Sequence, residues 1–484
     1  MSQAPASDVG VKRPRSTDDE TYTVAQENKA FEAIGSNSIS RVRLDHEVRR
    51  SDMFPFCFTV MPDQANALKS RVLKLILGVS SGGNTLPGPL PHTLTRMHLD
   101  RIRNNEYWVC EKSDGLRTMF YVEDSGAYLI DRKFGFHRVD DPTNLLPKLL
   151  TRERAADEPP GTPYETLVDG ELISVAEITG ESERINKNVP PSQWRTEHLL
   201  VVFDTIVVRG ESVKQLDLLE RLKRVQHLTR PIRNLKAKGI NPPIRIESKR
   251  FSTSVQDIVG RIRCEGGDWI YTDIDKGFKS LNDGIILTPK YNNYMHDKDP
   301  NLPILKFKWP GLHTVDFLLV PPFVTARPTT LDPNERLELQ LYTSSIPAPM
   351  PSTSGYGNPS GTRGSKPIHV LCRFTPILGS ELRDLEAQAE GKPVVAEMYY
   401  DMREGRWRIK HLRKDKDSPN FVNTVFSCME AMAEGITISE LSKIVTPPSA
   451  SSGSGAQSGA AAAAAGTMNS SQPKPLPSAS STTQ

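Results

Sequence analysis

A chain of 484 residues is long enough for two or three domains, and 37% apolar residues are enough to form a core. Its formal net charge of +3 is nearly balanced, so any basic surface must be local. The five cysteines are scattered and none has CxxC spacing, which argues against a zinc site or a disulfide framework. No apolar run is long enough to span a bilayer and no signal peptide is evident, so we expect an intracellular protein without membrane contact.

Both ends of the chain are polar and have little to bury. Residues 1–35 lack periodic apolar positions, and residues 446–484 are rich in Ser, Gly, Ala and Pro, which predicts disorder in both. The basic cluster Val11-Lys12-Arg13-Pro14-Arg15 is consistent with a nuclear localisation signal or with an ordinary disordered start.

The segments between these ends are mostly strand-like, with β-branched and aromatic residues between turn residues. The strand-like runs are 108–109, 118–122, 199–203, 284–287 and 315–320. The stretch 343–366 is rich in Pro, Ser and Gly, and strands resume at Ile368. We interpret this stretch as a surface insertion within a domain, the alternative being a linker between domains.

Two amphipathic helices are predicted between the disordered ends. The first starts near Ser212 and places Leu218, Leu222 and Val225 on one face. The second runs from about Asn420 to Met432, with a cap and a first-turn proline just before it. Its apolar stripe is formed by Val422, Val425, Phe426 and Met429. The cap and the proline are Ser418-Pro419.

The motif Lys112-x-Asp114-Gly115 places a lysine just before a glycine. A lysine amine attacks phosphorus only when neutral, so a nucleophilic lysine needs burial or nearby cations that lower its pKa. The glycine permits a tight turn and a close approach of the backbone to a ligand. Alone, the motif favours an exposed lysine before a turn.

Two acidic motifs follow along the chain. Asp169 and Glu171 alternate with apolar residues and should project from one face of a strand. Asp283 precedes a glycine turn that enters an apolar strand. Such carboxylates suit a divalent metal or a ribose hydroxyl. The alternatives are a solvated strand edge for the first motif and an ordinary turn for the second.

Two basic motifs complete the series. Lys306 and Lys308 should lie on one face of a strand whose other face is apolar. They could hold a triphosphate and lower the pKa of a third lysine nearby, or simply form an exposed basic face. The segment from Trp407 to Lys416 combines basic residues with Asp415. It could bind pyrophosphate or RNA phosphates, or form a solvated face.

The order of these motifs resembles that of the covalent nucleotidyltransferases, which include mRNA-capping guanylyltransferases and ATP-dependent polynucleotide ligases. The resemblance covers roughly residues 50–445. The matching motifs are Lys112-x-Asp114-Gly115-x-Arg117 for the nucleophile, Asp169-Gly170-Glu171 for the acidic strand, Val202-Phe203-Asp204 for base stacking, Asp283-Gly284, and Lys306-x-Lys308. Arg132 matches a family position near the ribose.

Several details resemble capping enzymes more than ligases. Asp283 stands where ligases usually have Glu, and Thr314-Val315-Asp316-Phe317 follows the paired lysines as in capping enzymes. The last motif of the family is matched by Trp407, Arg413, Asp415, Lys416, Pro419 and Asn420. Two positions depart from the family pattern: His411 replaces an arginine, and Trp309 interrupts the usual Lys-Pro junction. Histidine is only partly protonated near neutral pH, so His411 is the weakest match.

The resemblance implies an α+β fold with two domains. A nucleotidyltransferase domain with ATP-grasp-like antiparallel sheets would span residues 36–312. An OB-fold β-barrel would span residues 313–419 and contain the inserted loop 343–366. Residues 420–445 would pack back on the first domain.

The resemblance also implies an mRNA guanylyltransferase activity. Lys112 would take GMP from GTP as a covalent Lys–GMP, release pyrophosphate, and pass GMP to a 5′-diphosphate RNA end to form the GpppN cap. Arg413 and Lys416 would position the pyrophosphate, and Mg²⁺ or Mn²⁺ would bind near Glu171 and Asp283. The other nucleotide-binding residues would be Arg117, Arg132, Phe203, Lys306, Lys308 and Asp415. Glu171 would bind both the nucleotide and the metal.

The expected partners and location follow from the same resemblance. They are a separate RNA triphosphatase subunit, the phosphorylated C-terminal tail of RNA polymerase II, and the nucleus. Two alternatives stay open: an ATP-dependent polynucleotide ligase, and a catalytically silent scaffold that binds RNA or polymerase. No residue pattern in the sequence distinguishes guanine from adenine.

Overall fold

A computed structural model describes residues 49–83, 86–152, 158, 164–296, 299, 301–345, 367–414 and 416–445. Both predicted disordered ends, the basic cluster at 11–15, residues 346–366 of the insertion, and Asp415 lie outside these ranges. Among the described residues, no helix combines the length and the apolar character needed to cross a membrane.

The first part of the chain forms a mixed sheet of fourteen strands with helices packed on its faces. Its strands are β1 (Cys57–Thr59), β2 (His92–Thr93), β3 (Tyr107–Ser113), β4 (Leu116–Glu123), β5 (Gly126–Ile130), β6 (Phe136–Val139), β7 (Thr166–Glu177), β8 (Thr196–Val208), β9 (Glu211–Ser212), β10 (Arg245–Ser248), β11 (Ile262–Glu265), β12 (Asp268–Asp273), β13 (Phe278–Pro289) and β14 (Leu305–Phe307). Its helices are α1 (Pro62–Leu77), α2 (Leu99–Asn104), α3 (Leu145–Leu150), α4 (Gly180–Asn186), α5 (Leu218–Ala237) and α6 (Val255–Val259).

The long strand β13 connects two groups of strands. Its first residues pair with β7 and β12, in the strand order β1-β6-β5-β4-β7-β13-β12-β11. Its later residues, from Gly284 onward, pair with β3 and β14. The change of partners coincides with a shift of register between Asn282 and Gly284. The middle of β13 therefore brings residues from β3, β7 and β14 into one region.

Helix α5 begins at Leu218 rather than near Ser212, where a helix start was predicted. Glu211 and Ser212 instead form the short strand β9, which pairs with the end of β8. The predicted apolar face is correct, because Leu218, Leu222 and Val225 are all buried. Val225 packs with residues of β7 and β8 in the core, so this face covers the sheet.

The second part of the chain forms a five-stranded antiparallel sheet in the order β17-β16-β15-β18-β19. Its elements are β15 (Thr314–Leu319), β16 (Arg336–Ser345), β17 (Ile368–Leu378), α7 (Gly379–Ala389), β18 (Val394–Asp401) and β19 (Arg406–Leu412). The outer strands are linked, since Thr375 Oγ1 donates to the Trp407 carbonyl and accepts from the Trp407 amide. Residues 343–345, predicted to begin the insertion, belong to β16 and pair with β17, so both flanks of the insertion lie in one sheet.

Two helices, α8 (Val422–Glu434) and α9 (Ile438–Ile444), end the described chain. The predicted Ser418-Pro419 cap was wrong, because the helix starts after Phe421, with no side-chain cap. The buried stripe also differs: Val425, Cys428 and Ala431 are buried, whereas Phe426 is 58% exposed. Val425 and Cys428 belong to the core of the second sheet, and α9 packs with α2 and α6 of the first part. We predicted that the segment 420–445 packs back on the first domain. Helix α9 packs on that part of the chain, whereas α8 contacts β2 of the first part as well as β15 and β16 of the second sheet.

Candidate active site

Lys112 lies near the end of β3, opposite the irregular middle of β13. Lys112 Nζ donates a hydrogen bond to Asp283 Oδ2, and Lys308 Nζ lies 3.1 Å from the same oxygen. Burial alone would raise the pKa of Asp283, but the two ammonium groups outweigh it and lower that pKa. Three motifs that are distant in sequence thus meet at one carboxylate.

Gly284 makes this meeting sterically feasible. Its φ is +133°, and a Cβ atom at this position would lie 1.9 Å from the carbonyl oxygen of Phe307. Only glycine avoids this clash, so β13 and β14 approach closely where Asp283 projects. The Asp-Gly motif is therefore a bulge inside a continuous strand, and not the turn before a strand that we predicted.

Lys306 and Lys308 follow the predicted alternation, since both are partly exposed while Leu305, Phe307 and Trp309 are buried. Burial, followed by the charges of Lys308 and Lys112, lowers the pKa of Lys306 to about 8. Three lysines thus lie near one partly buried carboxylate, and two of them contact it. Such a concentration of positive charge suits a polyphosphate.

Arg117 and Glu171 lie opposite each other in the pairing of β4 with β7. The buried Arg117 guanidinium is held by Asp169, at 2.7 Å and 3.2 Å, and donates to the Pro89 carbonyl at 2.9 Å. Tyr294 donates to the same Asp169 carboxylate at 2.7 Å. Arg117 is thus engaged in a buried ion pair with Asp169. The nucleotide contact expected of Arg117 stays a prediction, and a nucleotide would have to compete with Asp169 for the guanidinium.

Glu171 lies among cations that the acidic motif alone did not reveal. Burial raises the pKa of Glu171, and the charges of Lys249, Arg132 and Lys112 oppose that rise. Arg132 itself is exposed. Glu171 therefore faces both the lysine of β3 and the turn that carries Arg132.

Lys249 is a site residue that the sequence did not indicate. Its ammonium lies 3.2 Å from Glu111 Oε2, donates to Ser113 Oγ at 3.0 Å, and sits 6.0 Å from the centre of the Phe203 ring. Burial would lower the pKa of Lys249, but Glu111, Cys110 and Glu171 together outweigh it and the pKa is raised. Glu111, on the same strand as the nucleophile, was also missed, and no motif spacing could have found either residue.

The cations of the last motif are paired with carboxylates of the second sheet. Lys416 Nζ donates to Asp316, and Arg413 lies 3.3 Å from Asp316 and 3.4 Å from Glu397. The His411 ring, which is half exposed, lies 3.5 Å from Glu397. Lys133, beside Arg132, lies 3.5 Å from Asp417, so the last motif reaches the rim of the site in the first part.

The predicted metal ligands do not form a dense acidic cluster. In the described part of the chain, no group of three or more His, Cys, Asp or Glu side chains is arranged to hold a metal ion. Two hard carboxylates, Glu171 and Asp283, are compatible with Mg²⁺, which commonly takes only one or two protein carboxylates and completes its shell with phosphates and water.

The chain matches two models of known protein families. Residues 57–310 match the model of the mRNA capping enzyme catalytic domain, and residues 312–442 match the model of the mRNA capping enzyme C-terminal domain. The chain belongs to the mRNA capping enzyme family. Lys112, Glu171, Asp283 and Lys308 all fall in the catalytic match, whereas Arg413 and Lys416 fall in the C-terminal match.

Curated relatives carry the same family name. The chain is 28% identical over 408 residues to the mRNA-capping enzyme subunit alpha of Neurospora crassa, covering 79% of this chain and 89% of that one. Identity to the Schizosaccharomyces pombe subunit alpha is 26%, covering 79% and 84%. Identity to the Saccharomyces cerevisiae subunit alpha is 24%, covering 78% and 82%. The capping enzyme described here is accordingly an mRNA guanylyltransferase, of a family that uses GTP as its substrate.

Solved ligase structures align only weakly with this capping enzyme. A chain named Pmar-Lig_PreS3 covers 72% of this chain and 71% of its own length, with 12% identity and a TM-score of 0.31. Mycobacterial DNA ligase D complexed with ATP and MES covers 69% and 96%, with 14% identity and a TM-score of 0.26. Scores this low carry no argument, so they lend no support to the ligase alternative.

Proposed function

We propose that Lys112 is the nucleophile that carries GMP in this guanylyltransferase. The observation that supports this role is the convergence of Lys112, Lys306 and Lys308 around Asp283. The neutral Lys112 amine would attack the α-phosphorus of GTP and lose a proton, while the bond from that phosphorus to pyrophosphate breaks. The β-phosphate oxygen of a 5′-diphosphate RNA would then attack the same phosphorus, and the amine would leave and regain a proton.

Phosphate binding is divided between the two parts of the chain. Lys306 and Lys308 would hold the phosphates near Lys112, and Arg413 and Lys416 would hold the leaving pyrophosphate, assisted by Asp415. For those last contacts, phosphate oxygens must replace the carboxylates of Asp316 and Glu397, which now pair with the cations. Bringing the last motif onto the phosphates would exclude water from the reacting atoms.

Glu171 and Asp283 are the residues that would hold a divalent ion. Mg²⁺ or Mn²⁺ bound there would act as a Lewis acid on the α-phosphate and offset its charge. Asp283 would have to turn from the two lysines towards the ion, which would also release the Lys112 amine from its ion pair.

The base and the ribose would lie on the other side of Lys112. The Phe203 ring would stack on the base, and Arg117 and Arg132 would contact the ribose. Lys249 has three N–H donors, of which the described residues Glu111 and Ser113 accept two. A third donor beside the stacked base favours guanine over adenine, because position 6 carries an acceptor (O6) in guanine and a donor (N6) in adenine.

The wider assignments rest on the family resemblance. A nucleotidyltransferase domain would span residues 36–312. The linked outer strands β17 and β19 support an OB-fold barrel over residues 313–419. We expect the enzyme to act in the nucleus with an RNA triphosphatase subunit. The name subunit alpha of its relatives indicates that those proteins have another subunit. We also expect the enzyme to bind the phosphorylated tail of RNA polymerase II.

The test is covalent labelling with α-phosphate-labelled GTP and a divalent ion. The wild-type protein should be labelled by GTP and not by ATP, and Lys112→Ala should abolish the label. Lys148→Ala, which removes an exposed lysine on α3, is the matched control and should label normally. Labelling by ATP alone would indicate a ligase, and labelling by neither nucleotide would indicate a scaffold.

A further inference from the structure

The side chain of Asn282 lies at the break in register between β3 and β13. Its Nδ2 donates to the carbonyl of Lys112 and to the carbonyl of Gly284, both at 3.0 Å. Its Oδ1 accepts from the Gly284 amide at 3.0 Å and from Trp309 Nε1 at 2.7 Å. A primary amide has two donors and can accept twice at its oxygen, so this buried side chain is fully satisfied.

The orientation of this amide follows from its partners. Two N–H groups can bond only to its oxygen, and two carbonyls can bond only to its nitrogen, so a flipped amide would lose all four bonds. The four partners belong to three segments: the nucleophile strand, the Asp283 bulge, and Trp309, two residues after β14. One side chain therefore ties the backbone of Lys112 to the backbone on both sides of Asp283.

Trp309, which lies outside the bulge, donates the hydrogen bond that holds the amide oxygen of Asn282 in place. Its ring is held rigidly, stacked on Trp269 with centroids 4.2 Å apart and edge-on to Phe307 at 5.6 Å. Trp309 also follows Lys308 directly, so a fixed indole limits the movement of the Lys308 backbone. The departure from the family junction at Trp309 thus has a specific structural consequence in this chain.

We infer that Asn282 and Trp309 form a polar clamp that positions Lys112 and Asp283 for nucleotidyl transfer. This inference rests on the proposed role of Lys112 as the nucleophile. Neither clamp residue touches the reacting atoms, so both act as positioning residues. The clamp should affect the rate of the covalent step more than the binding of GTP, because it orients the attacking strand without contacting phosphate.

The experiment measures the single-turnover rate of lysyl-GMP formation by the full chain, together with the GTP concentration that gives half the maximal rate. Trp309→Phe keeps an aromatic ring but removes the indole N–H. It should lower the rate roughly three- to tenfold, the effect expected from one lost hydrogen bond, and leave the half-saturating concentration within about twofold. Trp269→Phe is the matched control, since it changes the same stack and leaves the bond to Asn282 in place, and its rate should stay within about twofold of the wild type.

A double-mutant cycle separates positioning from general packing. In an Asn282→Ala background, Trp309→Phe should have less than its single-mutant effect on the rate, because its hydrogen-bond partner is already gone. Equal rate losses in Trp309→Phe and Trp269→Phe, or effects that multiply independently in the double variant, would overturn the clamp. If Asn282→Ala does not fold, the two tryptophan variants decide. Absence of GTP labelling in the wild type would overturn the proposed function and the clamp together, whereas a labelled wild type with an unaffected Trp309→Phe rejects the clamp alone.

Discussion

Replacing Lys306 by methionine should stabilise the protein while impairing its use of GTP. Burial and the charges of Lys308 and Lys112 lower the pKa of Lys306 from 10.5 to about 8. The Lys306 amine therefore binds its proton more tightly in the unfolded chain than in the folded chain. At a pH where the amine is protonated, this difference favours the unfolded chain. Below pH 8 this costs the fold at most about 3 kcal/mol, and a neutral methionine of similar length avoids the cost.

The stability difference between Lys306→Met and the wild type should depend on pH. Between pH 8 and pH 10.5 the folded lysine is neutral while the unfolded lysine is still protonated, so the wild type gains stability as pH rises. The advantage of Lys306→Met should therefore shrink from about 3 kcal/mol at pH 7 to roughly 1 kcal/mol at pH 9.5. Urea unfolding at both values measures it, with the exposed Lys148→Met as a control expected to change stability little at either pH.

The functional half of this prediction uses the same variant. Loss of one charged contact to phosphate should raise the half-saturating GTP concentration about 10- to 100-fold in the labelling assay. The reasoning is refuted if Lys306→Met destabilises the protein at pH 7. It is also refuted if the stability difference from the wild type is the same at pH 7 and pH 9.5.

Three further predictions concern the ion pairs around the site. Asp169→Asn leaves Arg117 buried without its carboxylate and should lower the free energy of unfolding by about 3–5 kcal/mol, as measured by urea unfolding; a loss below about 1 kcal/mol would show that water solvates the arginine. Asp316→Asn removes the carboxylate that competes with phosphate for Lys416, so the half-saturating GTP concentration in the labelling assay should fall roughly two- to fivefold, and an unchanged value would contradict that competition. His411→Arg supplies a permanent charge beside Glu397 and should lower the half-saturating GTP concentration in the labelling assay, whereas an unchanged value would argue against phosphate binding at position 411.

Periodicity predicted several elements of the fold, and motif order singled out several residues that the fold brings together around Asp283. The alternation at Leu305–Trp309 and the apolar face of α5 were read correctly, because side chains on a strand or helix follow a fixed period. The helix ends were less predictable. Residues 211–212 extend the sheet as β9, since pairing with β8 outweighs local helix signals there. The bulge at Asp283 was mistaken for a turn because its cause is the approach of Phe307, which is distant in sequence.

Lys249 and Glu111 show a second limit of sequence reasoning. Neither belongs to a motif with characteristic spacing, and β10 reaches the site only by pairing in parallel with β8, which lies far from it in sequence. Their ion pair is buried, so it could only be found once the strands were assembled. Composition and periodicity indicate which face a residue occupies, but they do not indicate its partner on that face.

The same limit applies to the charges that carry the chemistry. Lys112 and Asp283 are 171 residues apart, and Lys416 and Asp316 are 100 residues apart, yet each pair forms a direct ion pair. The motifs in isolation indicated a nucleophilic lysine and a phosphate-binding lysine, whereas the folded chain pairs each of them with a carboxylate. Phosphate must therefore compete with Asp283 in the first part of the chain and with Asp316 in the second. A triphosphate that reaches both places replaces both carboxylates at once, whereas a monophosphate replaces only one, so this competition favours the longer nucleotide.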